Sequence, residues 1–337
     1  MKKFLSILLA LALVLSLGTV AFAVEGDWDG EYAPTSPTTF SKIVKDYTSD
    51  GPEVVNETLT FTSEVGEDNP TNANVTVDPL EITSLEGNIL KVNIPALSEA
   101  GVYEWIITED EGNTAGVTYS TDEIHIIALV VYNNDSHALE IAEIGCSVVT
   151  PGTENKKDTF LNTFSSGSFT VAKDVDGNMA NENDEFDITV TLTSDKKIGT
   201  TIMVGGAEVA ADQWTEANGE WTLTKELQLS EKDGPVTFAR IPAGVTVTVK
   251  EEGLNEKNEV NGYTYTSTKG GTQTVTNNEF TMQIADDTAA DVVVTNVQNT
   301  SVETGITLDS LPYVLLLVGA CAGLVVFFAR RRMTHKG

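Results

Sequence analysis

The sequence predicts an all-β protein of two tandem immunoglobulin-like β-sandwich domains, and three observations carry that expectation. Short runs alternate apolar and polar residues with a period of two: Thr58 to Thr62, Tyr103 to Thr108, Ile124 to Tyr132, Phe186 to Leu192 and Val245 to Val249. Clusters of Gly, Asn and Asp separate these runs at short intervals, as sandwich strands and turns require. A polar Ser165-Ser166-Gly167 link divides the region into two parts of about 130 residues, each an ordinary size for one sandwich. Outside the two ends no stretch has helical periodicity.

The chain opens with Met1-Lys2-Lys3, an apolar run from Phe4 to Leu17, and Ala21-Phe22-Ala23. A positive start, an apolar middle and a small-x-small exit make residues 1–23 a secretory signal peptide, cut after Ala23. Residues 24–37, with Pro34 and Pro37 among Thr and Ser, read as an extended lead-in. The first sandwich is expected over residues 38–164 and the second over 167–299. Ser301-Val302-Glu303-Thr304-Gly305 follows, then an uncharged stretch from Leu311 to Ala329, then Arg330-Arg331-Arg332 within a positive tail of residues 330–337. The uncharged stretch is long enough to span a bilayer, with its positive flank on the cytoplasmic side. The order of Thr-Gly, apolar helix and Arg-rich tail resembles a Gram-positive sortase sorting signal. Ser301 and Val302 stand where the commonest form of that signal has Leu and Pro. The resemblance implies that a membrane transpeptidase cuts between Thr304 and Gly305, so that the helix is only a temporary stop; the alternative is a plain single-pass anchor.

Twenty basic residues stand against fifty acidic ones, a formal charge of -30. Six of the basic residues (Lys2, Lys3, Arg330, Arg331, Arg332, Lys336) and one acid, Asp309, lie in the ends, which leaves 14 basic and 49 acidic residues between Val24 and Gly305. Such a surface repels phosphate and offers no basic stripe, which argues against a nucleic-acid partner. With 41% apolar residues the chain can still bury ordinary cores, so the acidity describes a solvated surface. The two cysteines cannot staple the ectodomain, because Cys321 lies in the apolar tail segment and Cys146 in a strand-rich region. An exported protein is thus left without a disulfide framework.

Each half carries the same ordered trio. In Ile43-Val44-Lys45-Asp46-Tyr47, alternation puts Lys45 on the face of Ile43 and Tyr47, an unusual direction for a lysine. Tyr103 to Glu109 puts Glu109 on the face of Tyr103, Trp105 and Ile107, and Thr159 to Asn162 ends the half with Asn162 on the face of Phe160. The second half repeats this with Lys173 in Phe169 to Val175, Glu251 after Val247 and Val249, and Asn296 after Val292 and Val294. Lys and Asn are 117 residues apart in one half and 123 in the other, with the Glu between them both times. In the plainer alternative each Lys snorkels to an edge and each Glu and Asn ends a strand, but two matching sets weigh against that.

Burial disfavours the charged form of a lysine, and only the neutral amine is a nucleophile. A buried Glu is pushed towards its protonated form, able to hydrogen-bond the Asn side-chain carbonyl and to shuttle protons. The amine can then attack the amide carbon and expel ammonia, which joins first strand to last by an isopeptide bond without a cofactor.

With these contexts and the sorting signal, the ectodomain resembles the two-domain backbone pilins of Gram-positive bacteria, whose domains are similar to the B-type domains of collagen adhesins. The resemblance implies a structural shaft subunit, not a turnover enzyme, secreted and linked to cell-wall peptidoglycan. Its implied partners are a sortase, other copies of itself in a head-to-tail filament, and tip or minor pilins. It further implies that Lys45 bonds Asn162 with Glu109 assisting, and that Lys173 bonds Asn296 with Glu251 assisting. Lys42 is an alternative first-half nucleophile, with Phe40 and Val44 on its face. In that family the lysine that accepts the next subunit lies shortly before the last-strand Asn of the first domain, the place of Lys156 and Lys157 here. A monomeric wall-anchored adhesin or stalk on the same scaffold is the alternative function.

Other chemistries are poorly served. Asp174-x-Asp176-Gly177-Asn178, followed by Asn181 to Glu185, suggests calcium ligands, but the glycine and final glutamate spacing of a calcium loop is missing. His125 and His137 have no cysteine cluster beside them, so zinc is not expected and no metal site is assigned. Glu64, Glu67 and Asp68 lack the aromatic sugar platform of a glycosidase. Trp28, Trp105, Trp214 and Trp221 are expected to pack in cores or hairpins.

Overall fold

Alternate side chains of each long strand enter one of two separate sandwiches in the computed structural model, which describes residues 30–49, 55–147, 158–300 and 311–334. The signal peptide, Trp28, Lys156, Lys157, Thr304 and Gly305 lie outside the described residues.

The first sandwich faces a five-stranded sheet, in the order Thr76–Val77, Asn88–Ile94, Thr38–Ser49, Thr159–Phe164 and Val117–Thr118, against a four-stranded sheet. The second sheet runs Ala138–Ser147, Glu123–Asn133, Gly101–Glu109 and Phe61–Val65. Ile43, Val92, Trp105, Ile126 and Phe160 belong to its main core, while Tyr47, Val55, Leu59, Val117 and Phe164 form a smaller apolar cluster. The second sandwich sets the sheet that contains Ser166–Asp176 and Ala289–Val297 against one that contains Phe186–Ser194 and Thr246–Glu251. The all-β, two-sandwich architecture is the one the sequence predicts.

In both sandwiches the first and last strands are hydrogen-bonded neighbours and run parallel. No hairpin can make such a pair, since parallel neighbours need a crossover; here the crossover is nearly the whole sandwich. A bulge at Ser41-Lys42 shifts the register of the first strand against Asn88–Ile94. Phe40 and Ile43, three residues apart, are therefore both buried and Lys42 is exposed, a parity change that strict alternation does not foresee.

The expected polar link is not a linker in the structure. The last strand of the first sandwich ends at Phe164 and the first strand of the second begins at Ser166, so only Ser165 separates them. Its N–H donates to the Gly116 carbonyl and its carbonyl accepts from Ala243 N–H, both at 2.9 Å. A side chain on buried Gly167 would come within 2.9 Å of Ile284 Cγ2 and Thr288 Cβ. Backbone hydrogen bonds join Asn113 and Ala115 to Lys197, and Asn56 to Gly199. Ala115, from the first sandwich, packs into the core of the second. The lead-in also packs: Tyr32 joins the first core, and Ala33 bridges to Ala138.

An α-helix, Leu311–Thr334, follows, and its Pro312–Arg330 segment is long and apolar enough to cross a membrane. It continues through Arg330 to Arg332, beyond the boundary the uncharged stretch suggests.

Candidate functional site: two buried lysine, glutamate and asparagine sets

The strand register dictates the site. Asn162 stands opposite Tyr47, two residues beyond Lys45, and Asn296 stands opposite Val175, two residues beyond Lys173. With a side-chain period of two, this offset points Lys and Asn of adjacent parallel strands to the same face one step apart. Glu109 and Glu251 reach them from the opposing sheets. The structure thus brings together all six residues singled out from the sequence, in two sets of three.

In the first set Lys45 Nζ donates to Glu109 Oε2 at 2.8 Å, both side chains wholly shielded from solvent. Asn162 Nδ2 donates to Glu109 Oε1 at 2.6 Å, so one carboxyl group spans amine and amide. Burial pulls the Lys45 amine below the usual lysine range and pushes the Glu109 carboxyl above the usual carboxylate range, each partly opposed by the other's charge and hydrogen bond. Both directions favour the neutral pair. The set lies between the two apolar clusters: Ile43 and Phe160 belong to one, Tyr47 and Phe164 to the other. Lys42 is exposed, so the structure separates it from the buried position that Lys45 fills.

The surroundings of Asn162 hold groups that the sequence did not single out. Its Oδ1 accepts the Ser120 backbone N–H at 2.8 Å, the carbonyl contact that sequence reasoning assigned to the glutamic acid. Its Nδ2 also donates to the Tyr47 hydroxyl at 3.2 Å. That hydroxyl donates in turn to Glu57, which also accepts from Tyr119 at 2.7 Å and Thr114 at 2.9 Å. Alternation places Tyr47 on the face of Lys45, but nothing in the sequence shows where its hydroxyl points. Ser120 and Glu57 lie outside regular strands, where periodicity is silent.

The second set is looser. Asn296 Nδ2 donates to Glu251 Oε1 at 2.7 Å, while Lys173 Nζ is 3.8 Å from the same oxygen and donates to the Val294 carbonyl at 3.3 Å. Asn296 Oδ1 and Glu251 Oε2 are buried without a hydrogen-bond partner. The Phe186 ring, its centroid 4.4 Å from Lys173 Nζ, packs edge-on against Tyr263 beside the set. Burial lowers the Lys173 amine from 10.5 to about 8, against the pull of Glu251 and Asp174, and it raises the Glu251 carboxyl.

The remaining candidates sit elsewhere. The loop that suggests calcium ligands clasps the departing chain instead: Asn178 Nδ2 donates to the Thr300 carbonyl, and Asn178 Oδ1 accepts the Thr300 N–H. Gly177, at φ +108, passes so close that a Cβ would stand 2.2 Å from the Gln298 carbonyl oxygen. Among the described residues no cluster of three or more His, Cys, Asp or Glu has a metal-binding arrangement. His125 pairs with Glu104 at 2.7 Å on a sheet face, and His137 occupies a left-handed turn at φ 49. Trp105 and Trp214 are buried in the two cores, with Trp221 packed against the second.

Residues 167–298 match the family described as a domain of unknown function, DUF7601. A pilin of Streptococcus pyogenes serotype M1 is 20% identical over 234 residues, which cover 68% of each chain. Among solved structures, the major pilin of Streptococcus pyogenes superposes with a TM-score of 0.52 at 18% identity, over 79% of this chain and 99% of that one. The T3.2 major pilin of the same organism gives 0.50 at 20% identity, over 80% and 100%. The chain therefore has the fold of the major pilins along nearly their whole length.

Proposed function

We propose that this chain is a shaft subunit of a covalent Gram-positive pilus, secreted, joined head to tail by a sortase and finally attached to peptidoglycan. Each sandwich is closed by a spontaneous bond, Lys45 to Asn162 and Lys173 to Asn296, with Glu109 and Glu251 as the assisting acids. The observation that carries the reading is the recurrence, in both sandwiches, of a buried Lys and Asn on parallel first and last strands at one register offset, with a buried Glu reaching them from the opposing sheet. The pilin likeness in sequence and fold supports it.

The chemistry balances within each set. The neutral lysine amine attacks the asparagine Cγ, a new C–N bond forms and the Cγ–Nδ2 bond breaks. The glutamic acid gives its proton to the departing nitrogen and recovers one from the attacking nitrogen, so ammonia is the sole by-product. Each bond closes a loop of over 100 residues, worth about 5 kcal/mol by the chain-entropy argument for disulfides. It also ties the first strand to the last, the route by which tension would cross a shaft.

Topology supports a head-to-tail use. The last strand of the first sandwich runs towards the junction with the second, so Asp158, which precedes it, lies on the side away from the junction, beside Val44 midway along the first strand. The last strand of the second sandwich runs away from that junction, so the chain leaves at the opposite end, where Asn178 holds Thr300. A donor and an acceptor at opposite ends of identical subunits make a heterologous contact that grows without closing.

Intact-mass measurement tests the cross-links: the mature chain should weigh less than its sequence by two ammonia losses, roughly 17 Da each, one for each condensation. A denaturing gel of cell-wall extracts tests the shaft. A series of bands that survives boiling is expected, and a lone band at monomer mass would refute polymerisation.

A further inference from the structure

The two sets differ in how the asparagine amide is held, and that difference assigns a role to Tyr47 and Glu57. A backbone N–H can only donate, so the Ser120 N–H, 2.8 Å from the Asn162 amide, requires the amide oxygen on its side. The other end of the amide then faces two oxygens, Glu109 Oε1 and the Tyr47 hydroxyl. A phenol has one proton, and the Tyr47 proton is directed at the Glu57 carboxylate. Its lone pairs are left for Asn162 Nδ2. In the second set neither constraint exists: Asn296 Oδ1 has no partner, and Val175 occupies the register position of Tyr47.

We infer that Tyr47, oriented by Glu57, is a positioning residue for bond formation in the first sandwich. It holds the Asn162 amide with its nitrogen towards Glu109, the proton shuttle, and its carbonyl on the Ser120 N–H. The inference rests on the isopeptide reading and extends it. With the amide held this way, negative charge that builds on Oδ1 as Lys45 attacks meets a donor already in place, an arrangement that needs no reorganisation. The departing nitrogen already touches the acid that must protonate it. Tyr47 and Glu57 form and break no bond. The same carboxylate also accepts from Thr114 and Tyr119, neither of which touches Asn162.

The test follows closure of each set in one molecule. The full chain is synthesised into denaturant, transferred to folding conditions, quenched at intervals and digested, and the cross-linked peptides of the two sets are quantified by mass. In Tyr47→Phe, which keeps the ring beside Lys45 and removes only the hydroxyl, the first set should close about tenfold more slowly relative to the second, the weight of one hydrogen bond in a preorganised site. Tyr119→Phe removes another donor to Glu57 without touching Asn162 and should close at the wild-type rate. An unchanged rate in Tyr47→Phe, with both wild-type sets closing, overturns the role of Tyr47 and leaves the isopeptide reading intact. Equal slowing in Tyr119→Phe reduces the role to general support and also overturns it. A wild-type chain that never loses ammonia removes the isopeptide reading and this inference together. Should the first sandwich of Tyr47→Phe not fold, Glu57→Ala replaces it: freeing the hydroxyl should slow the first set, and wild-type closure would overturn the inference.

Discussion

Lys45 Nζ and Glu109 Oε2 lie 2.8 Å apart in side chains that solvent does not reach, and they come from opposite sheets of the first sandwich. A buried pair of this kind is weak evidence for stability, because desolvating two charges offsets most of their attraction. Its value is chemical. Desolvation moves both groups towards neutrality, and the neutral forms are the nucleophile and the acid that the proposed condensation requires.

Replacing either glutamate should therefore abolish one bond and leave the other. Glu109→Ala is expected to retain the ammonia of the first set, Glu251→Ala that of the second, and the double variant both. Intact mass with peptide mapping reads this directly. A single substitution that restores both ammonia groups, or neither, would contradict the independence of the two sets.

The second set should show a pH dependence set by its lysine. Burial lowers the Lys173 amine to about 8, and attack requires the deprotonated form. While Glu251, whose carboxyl burial raises, keeps its proton, closure should accelerate as pH rises towards that value, by about tenfold per pH unit, since the neutral amine fraction changes by that factor. Stopped folding reactions analysed by mass measure it. A rate that falls steadily as pH rises from acid towards that value would show that amine deprotonation does not limit closure.

What the sequence revealed and what it concealed have physical reasons. Alternation alone places Lys45, Glu109, Lys173 and Glu251 on apolar faces, because a strand's period of two is blind to everything but direction. The parallel neighbourhood of Thr38–Ser49 and Thr159–Phe164 is a long-range pairing, and only the repeated Lys-to-Asn spacing hinted at it. The bulge at Ser41-Lys42 is a register event, invisible until a partner strand is known; it lets Phe40 share the buried face of Ile43 while Lys42 stays exposed. Ser120 acts through its backbone N–H, which every residue but proline carries, so no residue type could announce it. The Ser165-Ser166-Gly167 stretch looked like a linker because its residues are small and polar. The same smallness lets Gly167 pass against Ile284 and Thr288.

The junction predicts an effect that crosses from one sandwich to the other. Ala115 belongs to a loop of the first, yet it is buried in the core of the second. Ala115→Asp places a carboxylate there without a partner and should destabilise the second sandwich by about 2 kcal/mol or more. Hydrogen exchange resolved by peptide should show lost protection in Phe186–Ser194 and Thr246–Glu251, the facing sheet. If loss is confined to the first sandwich, Ala115 has no share in the second core.

Assembly supplies the last test. In the proposed assembly an acyl-enzyme at Thr304 must be resolved by an amine that solvent and a second protein can reach, which excludes Lys45 and Lys173, both wholly buried in their side chains. Lys156 and Lys157, outside the described residues, immediately precede Asp158, whose carbonyl accepts the Val44 N–H at 2.8 Å and so anchors the start of the last strand. That start lies beside Val44, midway along the first strand and on the side away from the junction, while the chain departs towards Thr304 from the far end of the second sandwich. An acceptor near it would let each subunit extend the one before. Changing both Lys156 and Lys157 to Arg keeps the charge and removes the primary amine, so the boiled wall extract should lose its band series while the monomer still folds and loses two ammonia groups. If the series persists, the acceptor lies elsewhere, and the exposed Lys42, in the bulge of the first strand, becomes the residue to change next.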